Sequence, residues 1–380
     1  MRLLIVSHTP HYRAEGVLKG WGATVREIDY LAQLFDDVVH IAPVHRGIPP
    51  ESSLAYQSSN VKVVPVKPSG GQNWADKLSI AANIPAYGRV ILRELRSADV
   101  VHIRAPANIS LLAMVLLAFV RHPKRRWIKY AGNWKPFGPE AKSYTFQRWW
   151  LRRGWHRGLV TVNGEWPDMP AHVHTFFNPC LTDEELETGR CAASGKALEN
   201  PIRLLFVGRL DTAKGADRVL RIAAELKKHG VIFSLDMIGD SPERELMEKL
   251  AQQLGIEERV RFHGWIPKQA LPEYYSQAHF LMLPSRTEGW AKVLSEAMAF
   301  GVVPIASKVG SIPQYLTQFR TGRALASDDV EAFVNELCQY VQHSDVWKNE
   351  STNGIEAAKL FGYSRYLQAV SQLLQLTLSI

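Results

Sequence analysis

Residues 204–220 read LLFVGRLDTAKGADRVL: an apolar β-rich run, a glycine at its end, a turn carrying Arg209 and Lys214, and a helix that opens at Gly215. A strand that stops at glycine lets backbone approach a ligand, and two cations ahead of a helix amino terminus form an anion site suited to a diphosphate. The run lacks the G-x-G-x-x-G fingerprint of dinucleotide-binding turns. Two more strands of this half end the same way. FSLDMIGDSPERELMEKL (233–250) stops at Gly239 with Asp240 after it, and RVRFHGWIP (259–267) stops at Gly264, where the backbone through Trp265 and Ile266 is placed to lie against a flat base. Three glycine turns on one sheet edge fit a nucleotide laid across that edge.

Working outward, short apolar runs alternate with longer helical patterns throughout, the signature of parallel sheets wrapped by helices. Strands are expected at 2–7, 38–44, 61–66, 99–104, 127–132 and 159–164, then at 202–208, 233–239, 259–264, 279–285 and 302–307. A chain of 380 residues suits two domains. The expected division is 1–180, a Pro/Gly-punctuated linker over 181–200, and 201–380, the last stretch helical after Arg323 and ending in an amphipathic helix that packs back on the first domain. Each domain reads as a doubly wound α/β unit, and two such units facing each other leave a cleft at the carboxyl ends of their strands.

The segment EGWAKVLSE (288–296) sets Glu288 in a loop after the strand LMLP and Glu296 inside a helix that starts near Trp290. Six helical steps separate Trp290 from Glu296, roughly 9 Å along the axis. The amides of Ala291, Lys292 and Val293 would face a phosphate, and carboxylates beside a phosphate are tolerated where they accept hydrogen bonds from hydroxyls. The pair therefore reads as clamps on a sugar and a ribose at the two ends of a diphosphate. The plainer reading is one acid favourable near a helix start and one satisfied, partly buried acid.

The set FVGRL-x4-KG, IGDSPERE, VRFHGWI, LPEYYSQAHFLMLPS, EGWAKVLSEAMAFGVVPIAS and VGSIPQYL resembles the carboxyl-terminal domain of glycosyltransferase family 4, retaining enzymes of the GT-B fold (two Rossmann-like doubly wound domains facing a cleft, with carboxyl-terminal helices). The resemblance implies a nucleotide-diphosphate sugar as donor and transfer with retention of configuration. Carried over by motif, Arg209 and Lys214 hold the pyrophosphate, Glu288 and Gly289 meet the transferred sugar, and Glu296 takes the ribose. Gly239 and Asp240 border the donor, and the backbone of Gly264 to Ile266 meets the base. Members of that family need no metal as a rule, and none is expected here; nor is another cofactor. The chain departs from the family at Ala291, after Trp290, and at Ser241. A sugar-nucleotide epimerase of the same fold, or a sugar-binding protein without catalysis, is the competing reading.

The first half resembles the family's acceptor domain in outline only. Gly20 and Gly22, flanking Trp21 before a helix, carry over as cleft-facing backbone, and His102 and Arg104 share one face of a strand, where they are placed to assist the acceptor or a phosphate; His102 is accordingly a catalytic candidate. Charge separates the halves more sharply. Residues 1–180 hold 23 Lys+Arg against 12 Asp+Glu, and residues 121–157 alone carry 11 basic residues, one acid (Glu140) and five tryptophans. Such a stretch suits an anionic membrane surface near a lipid-linked or glycan acceptor, and no nucleic-acid motif accompanies it. Three cysteines without metal spacing point to a reducing compartment. The longest apolar run, Ile109 to Val120, is shorter than the ~20 residues a membrane span takes. The expected location is the cytoplasm, peripheral to the inner membrane face.

Overall fold

The computed structural model describes residues 1–70, 74–136, 138 and 140–376, with backbone alone at 74–78. The chain forms two compact units, Met1–Phe176 together with the chain from Tyr366 onward, and Phe177–Arg365. The first contains β1 (Arg2–Val6), β2 (His11–Ala14), β3 (Val17–Trp21), α1 (Gly22–Ala32), β4 (Asp37–His45), β5 (Ser53–Ala55), β6 (Val61–Val66), α2 (Trp74–Leu95), β7 (Val100–Ala105), α3 (Asn108–Phe119), β8 (Arg125–Tyr130), α4 (Lys142–Arg153), β9 (Leu159–Val162) and β10 (Val173–Thr175). The second contains α5 (Asp183–Ala193), β11 (Ile202–Val207), α6 (Ala216–Lys228), β12 (Phe233–Ile238), α7 (Arg244–Gln253), β13 (Val260–Gly264), α8 (Leu271–Gln277), β14 (Phe280–Leu283), α9 (Lys292–Ala299), β15 (Val303–Ser307), α10 (Ile312–Phe319), β16 (Arg323–Leu325), α11 (Val330–Gln342) and α12 (Ser344–Ala358). The last helix, α13 (Tyr363–Leu374), belongs to the first unit from Tyr366 on.

Both units are doubly wound. In the first, parallel strands run β10-β9-β8-β7-β1-β4-β6; in the second, β13-β12-β11-β14-β15-β16. Strand order therefore reverses between β1 and β7 in one sheet and between β11 and β14 in the other, and ligands of open α/β sheets bind outside the strand ends at such points. The strands read as continuous apolar runs because both faces are covered. Leu4 and Val6 of β1 join Ile91, Met114 and Leu117 of α2 and α3. Leu3 and Ile5 join Ile28 and Leu31 of α1 and Tyr366, Val370 and Leu374 of α13, which recur at the four-residue spacing of one helix face.

Three features differ from the expected layout. Residues 181–200 hold α5, opened by a capping box in which the Thr182 hydroxyl accepts from Glu185 N and the Glu185 carboxylate accepts from Thr182 N. Lys196 then donates to the carbonyls of Tyr275, Ala278 and Phe300, so this segment is packed structure. The loop after β1 contains the β2–β3 hairpin, turned by Glu15 and Gly16 at φ 53° and 78°, the pair of positive angles a type I′ turn requires. The region after Arg323 adds the short strand β16.

Candidate functional site

At the ends of β11, β12 and β13 the three glycines come together. Gly239 N donates to Gly264 O at 2.8 Å and Gly208 N to Ile238 O at 3.0 Å. Gly239 sits at φ 131°, and a Cβ there would lie 1.8 Å from Gly208 O, so no other residue fits without displacing the neighbouring strand end. Beyond this edge Trp265 and Asp240 are exposed. The result is a side-chain-poor shelf flanked by an indole, a surface against which a flat ring can lie.

The switch point beside the shelf is built by two loops laced together. After β11, Asp211 Oδ1 accepts from Lys214 N at 2.8 Å, and Gly215, at φ 86°, approaches the loop after β14 so closely that a Cβ would lie 2.3 Å from Pro284 O. Buried Arg218 donates from Nε to Pro284 O at 2.9 Å and from Nη2 to Thr212 O at 3.0 Å, and Arg286 N donates to Ala213 O at 3.0 Å. Across this lacing Lys214 Nζ meets Glu288 Oε1 at 2.6 Å. Arg209, largely exposed, reaches Asp211 Oδ2 at 2.9 Å. The residues expected to grip a diphosphate and a sugar are thus held in ion pairs with local acids. Lys214 and Arg209 are 32% and 66% exposed while their acids, Glu288 and Asp211, are 10% and 11% exposed, so the cations are the members of these pairs open to phosphate oxygens.

Helix α9 begins at Lys292, two residues later than expected, with Ala291 as its cap residue and no side-chain cap. Glu296 is therefore four steps into the helix, about 6 Å along the axis instead of ~9 Å. It is nearly buried, accepting from Tyr275 Oη at 3.1 Å with Lys268 Nζ at 3.5 Å. Trp290 is a core residue: its indole stacks on Phe361 at 5.0 Å and 9°, and Nε1 donates to Ser295 Oγ at 2.8 Å. Gly289 O accepts from both N and Oγ of Ser311. The indole and Ser311 hold the Glu288–Ala291 turn from behind while Val293 stays partly exposed at the helix start. Arg218 does this positioning through Pro284, and Tyr275 and Lys268 through Glu296, partners remote in sequence, while Asp211 acts on its own turn through Arg209 and the Lys214 amide.

The first unit's strand ends are occupied differently. His102 is fully buried and stacks on Trp127 with centroids 3.8 Å apart, and burial, with Arg104's charge second, holds its pKa well below the usual imidazole value. The imidazole expected to assist the acceptor or a phosphate is thus enclosed against Trp127. Arg104 is likewise committed: Nη1 and Nη2 donate to the two Glu27 oxygens at 2.7 and 3.3 Å, and Glu27 also takes Lys129 Nζ at 2.6 Å and Tyr366 Oη at 3.3 Å. Gly20 and Gly22 are close-packed rather than open: a Cβ on either would come 2.5 Å from His11 Nε2 or Ser52 O.

Hydrogen bonds close a ring around the loop after β1. His11 Nδ1 lies 2.9 Å from Thr9 O and so carries the proton; Nε2 then accepts from Tyr56 Oη at 3.0 Å. Tyr56 accepts from His40 Nδ1 at 2.7 Å, His40 Nε2 accepts from Ser7 Oγ at 2.7 Å, and Ser7 Oγ accepts from Thr9 N at 3.1 Å. Burial lowers the pKa of both imidazoles, matching the neutral form this ring requires. The basic stretch 121–157, apart from Phe137 and Pro139 outside the described residues, also divides. Trp127 and Trp134 are core, Arg148 pairs with Glu140, and Trp149 and Trp155 stay 42% exposed.

Among the described residues no group of three or more His, Cys, Asp or Glu side chains is placed to hold a metal ion, and no helix is long and apolar enough to cross a membrane.

Against this geometry, residues 192–359 match the family described as Glycosyl transferases group 1. The chain is 29% identical over 198 residues to an uncharacterized 41.2 kDa protein in the cps region of Klebsiella pneumoniae, covering 51% of each chain. It is 32% identical over 141 residues to a GDP-mannose-dependent alpha-(1-6)-phosphatidylinositol monomannoside mannosyltransferase of Mycolicibacterium smegmatis, covering 35% of this chain and 37% of that one. The chain thus spans about half of the first relative's length and about a third of the second's. The structure of a sucrose-phosphate synthase from Thermosynechococcus elongatus superposes with a TM-score of 0.71 at 18% identity over 98% of both chains. The fold is GT-B, and the stretch that matches the group 1 glycosyl transferases, residues 192–359, lies within the second unit.

Proposed function

We propose that the protein is a retaining glycosyltransferase that moves a hexose from a nucleotide-diphosphate sugar to a hydroxyl of a glycan or lipid-linked acceptor, in the assembly of a surface polysaccharide or glycolipid. The observation that carries this reading is the glycine shelf at 208, 239 and 264 beside the exchangeable Lys214–Glu288 pair. The base lies on the shelf next to Trp265 and Ile266. Lys214 and Arg209 leave their acids for the diphosphate, with the α9 amino terminus adding its partial positive charge. Glu288, released from Lys214, accepts hydroxyls of the transferred sugar, and Glu296, held by Tyr275 and Lys268, is aimed at the ribose. Cations at the departing diphosphate oxygen stabilise the charge that develops there, so no protein nucleophile and no resident metal are assigned. The acceptor hydroxyl attacks from the face the diphosphate leaves, and the departing oxygen takes its proton.

The cps-region relative and the phosphatidylinositol-mannoside enzyme support an envelope glycan or glycolipid as acceptor. The same reading places the protein in the cytoplasm against an anionic membrane face through residues 121–157. The test is a panel of UDP-, GDP- and ADP-sugars screened for slow donor hydrolysis by the purified protein. Hydrolysis of one class, lost in Lys214→Ala, supports the reading; no hydrolysis and no stabilisation by any nucleotide would sink it.

A further inference from the structure

On the first unit, at the edge where β8 and β9 begin, lies a cavity of about 500 Å³ lined by Lys124, Arg125, Arg126, Arg157, His172 and Leu374 among others. This is the amino-terminal edge of the sheet, opposite the strand ends where ligands of the fold are expected. Four cations border it, and none of its lining residues is an acid. Several cations elsewhere in this unit find carboxylates: Arg104 and Lys129 share Glu27, Arg2 has Asp37 and Glu94, and Arg148 has Glu140. At the cavity, among the described residues, the hydrogen-bond partners of Arg125 and Arg126 are neutral. Arg126 is buried and donates to the carbonyls of Pro123 and Val120 at 2.7 Å, Leu117 at 2.6 Å and His156 at 3.1 Å. Arg125 reaches Met1 Sδ at 3.6 Å and Gln375 O at 3.5 Å, both long. Burial and the neighbouring charge of Arg157 depress Arg126's pKa, as unopposed positive charge should.

The construction is specific. Arg157 holds φ 55°, a left-handed backbone that ordinary side chains adopt at a cost, and Gly158 packs so tightly on Arg126 that a Cβ would lie 2.5 Å from its Cβ. Two exposed apolar side chains are neighbours in sequence of the residues whose carbonyls fix Arg126. Phe119, 79% exposed, lies between Leu117 and Val120, and Trp155 immediately precedes His156. A cationic socket with exposed aromatic side chains nearby in sequence suits an anion that arrives attached to something apolar.

We propose that this cavity is a binding site for a phosphate ester, either the headgroup of a membrane phospholipid or a soluble phosphate of the same chemistry. The proposal deepens the membrane part of the reading above and does not depend on its sugar-transfer part. Arg157 and Lys124 grip the phosphate oxygens, Arg126 supplies fixed charge behind them, and Phe119 and Trp155 are the groups that meet acyl chains.

The test uses the full chain and two variants, Lys124→Gln/Arg157→Asn in the cavity and Arg221→Gln/Lys249→Gln as a charge-matched control on exposed cations of the other unit. Asparagine tolerates the left-handed backbone, so the fold is preserved. One arm measures co-sedimentation with vesicles of phosphatidylglycerol in phosphatidylcholine; the other titrates glycerol 3-phosphate by calorimetry at ionic strength matched with chloride. Binding in either arm that falls tenfold or more in the cavity variant, and stays within twofold in the control, is expected. Vesicles alone would name a lipid, and glycerol 3-phosphate alone a soluble ligand. No binding in either arm, or equal losses in both variants, would overturn the proposal. Donor hydrolysis is expected unchanged in the cavity variant, which keeps this outcome separate from failure of the transferase reading.

Discussion

The two switch points use the same chemistry to opposite ends. In the second unit Lys214 and Glu288 pair at 2.6 Å, their side chains 32% and 10% exposed, beside the glycine shelf. In the first unit Glu27 is 1% exposed and pairs with Arg104 and Lys129 at once, with Tyr366 of the terminal helix also donating to it. A pair whose cation keeps access to solvent is worth less than a fully buried one and can trade its partner for a ligand. A buried triad has given up its hydration and cannot lose one member without leaving charge stranded. Ion pairs at equivalent places in two related sheets are therefore a binding device in one and a structural lock in the other, and burial decides which.

The largest effect should come from breaking the lock. Glu27→Ala strands two buried cations and is expected to cost about 3–5 kcal/mol in urea unfolding, whereas Glu288→Ala should stay within about 1 kcal/mol of the parent by the same measurement. Equal losses would abolish the contrast. Next, Lys214→Ala is expected to lower donor turnover by about 10²–10³-fold, the usual loss when one group stabilising a developing oxyanion is removed, with the unfolding midpoint barely moved. Steady-state kinetics and unfolding on one preparation would show both.

A smaller effect is expected from the ring around β1. Tyr56→Phe leaves His40 Nδ1–H and His11 Nε2 without their partner, at about 1–3 kcal/mol for a stranded buried polar group. The smallest concerns acid. His11, His40, His102 and His156 of the first unit, the last at about 4, all have lowered pKa values, against His279, also about 4, in the second. Each is neutral when folded and takes up a proton near pH 6.5 when unfolded. Below that pH the unfolded chain binds more protons, so stability is full above about 6.5 and falls as the pH drops toward 4. Hydrogen exchange at pH 7.5 and 5.5 should show protection lost first in the first unit; uniform loss would argue against this assignment.

How much of this was legible depends on how far apart the interacting residues lie. The β11–β15 strands stand out because strands covered on both faces are unbroken apolar runs, and their glycine ends mark the shelf. The capping box at Thr182 and Glu185 was also readable, yet the surrounding Gly and Pro residues suggested a linker. The β2–β3 hairpin is polar and short, with only Glu15-Gly16 to announce it. What local pattern cannot carry is pairing across the chain: Lys214 with Glu288, Arg104 with Glu27, and Trp290 with Phe361 are 74, 77 and 71 residues apart. Hence the strand pattern of His102 does not show that Trp127 stacks on it, nor does EGWAK show that Trp290 is fixed by Phe361.

The most direct test of the claim that the second unit's loosely held cations receive a diphosphate is calorimetric titration of UDP and GDP into the parent and into Arg209→Ala/Lys214→Ala. At least one nucleotide is expected to bind the parent and to bind the double variant tenfold or more weakly, with the variant's unfolding curve unchanged. Undiminished binding by a folded double variant would contradict the account.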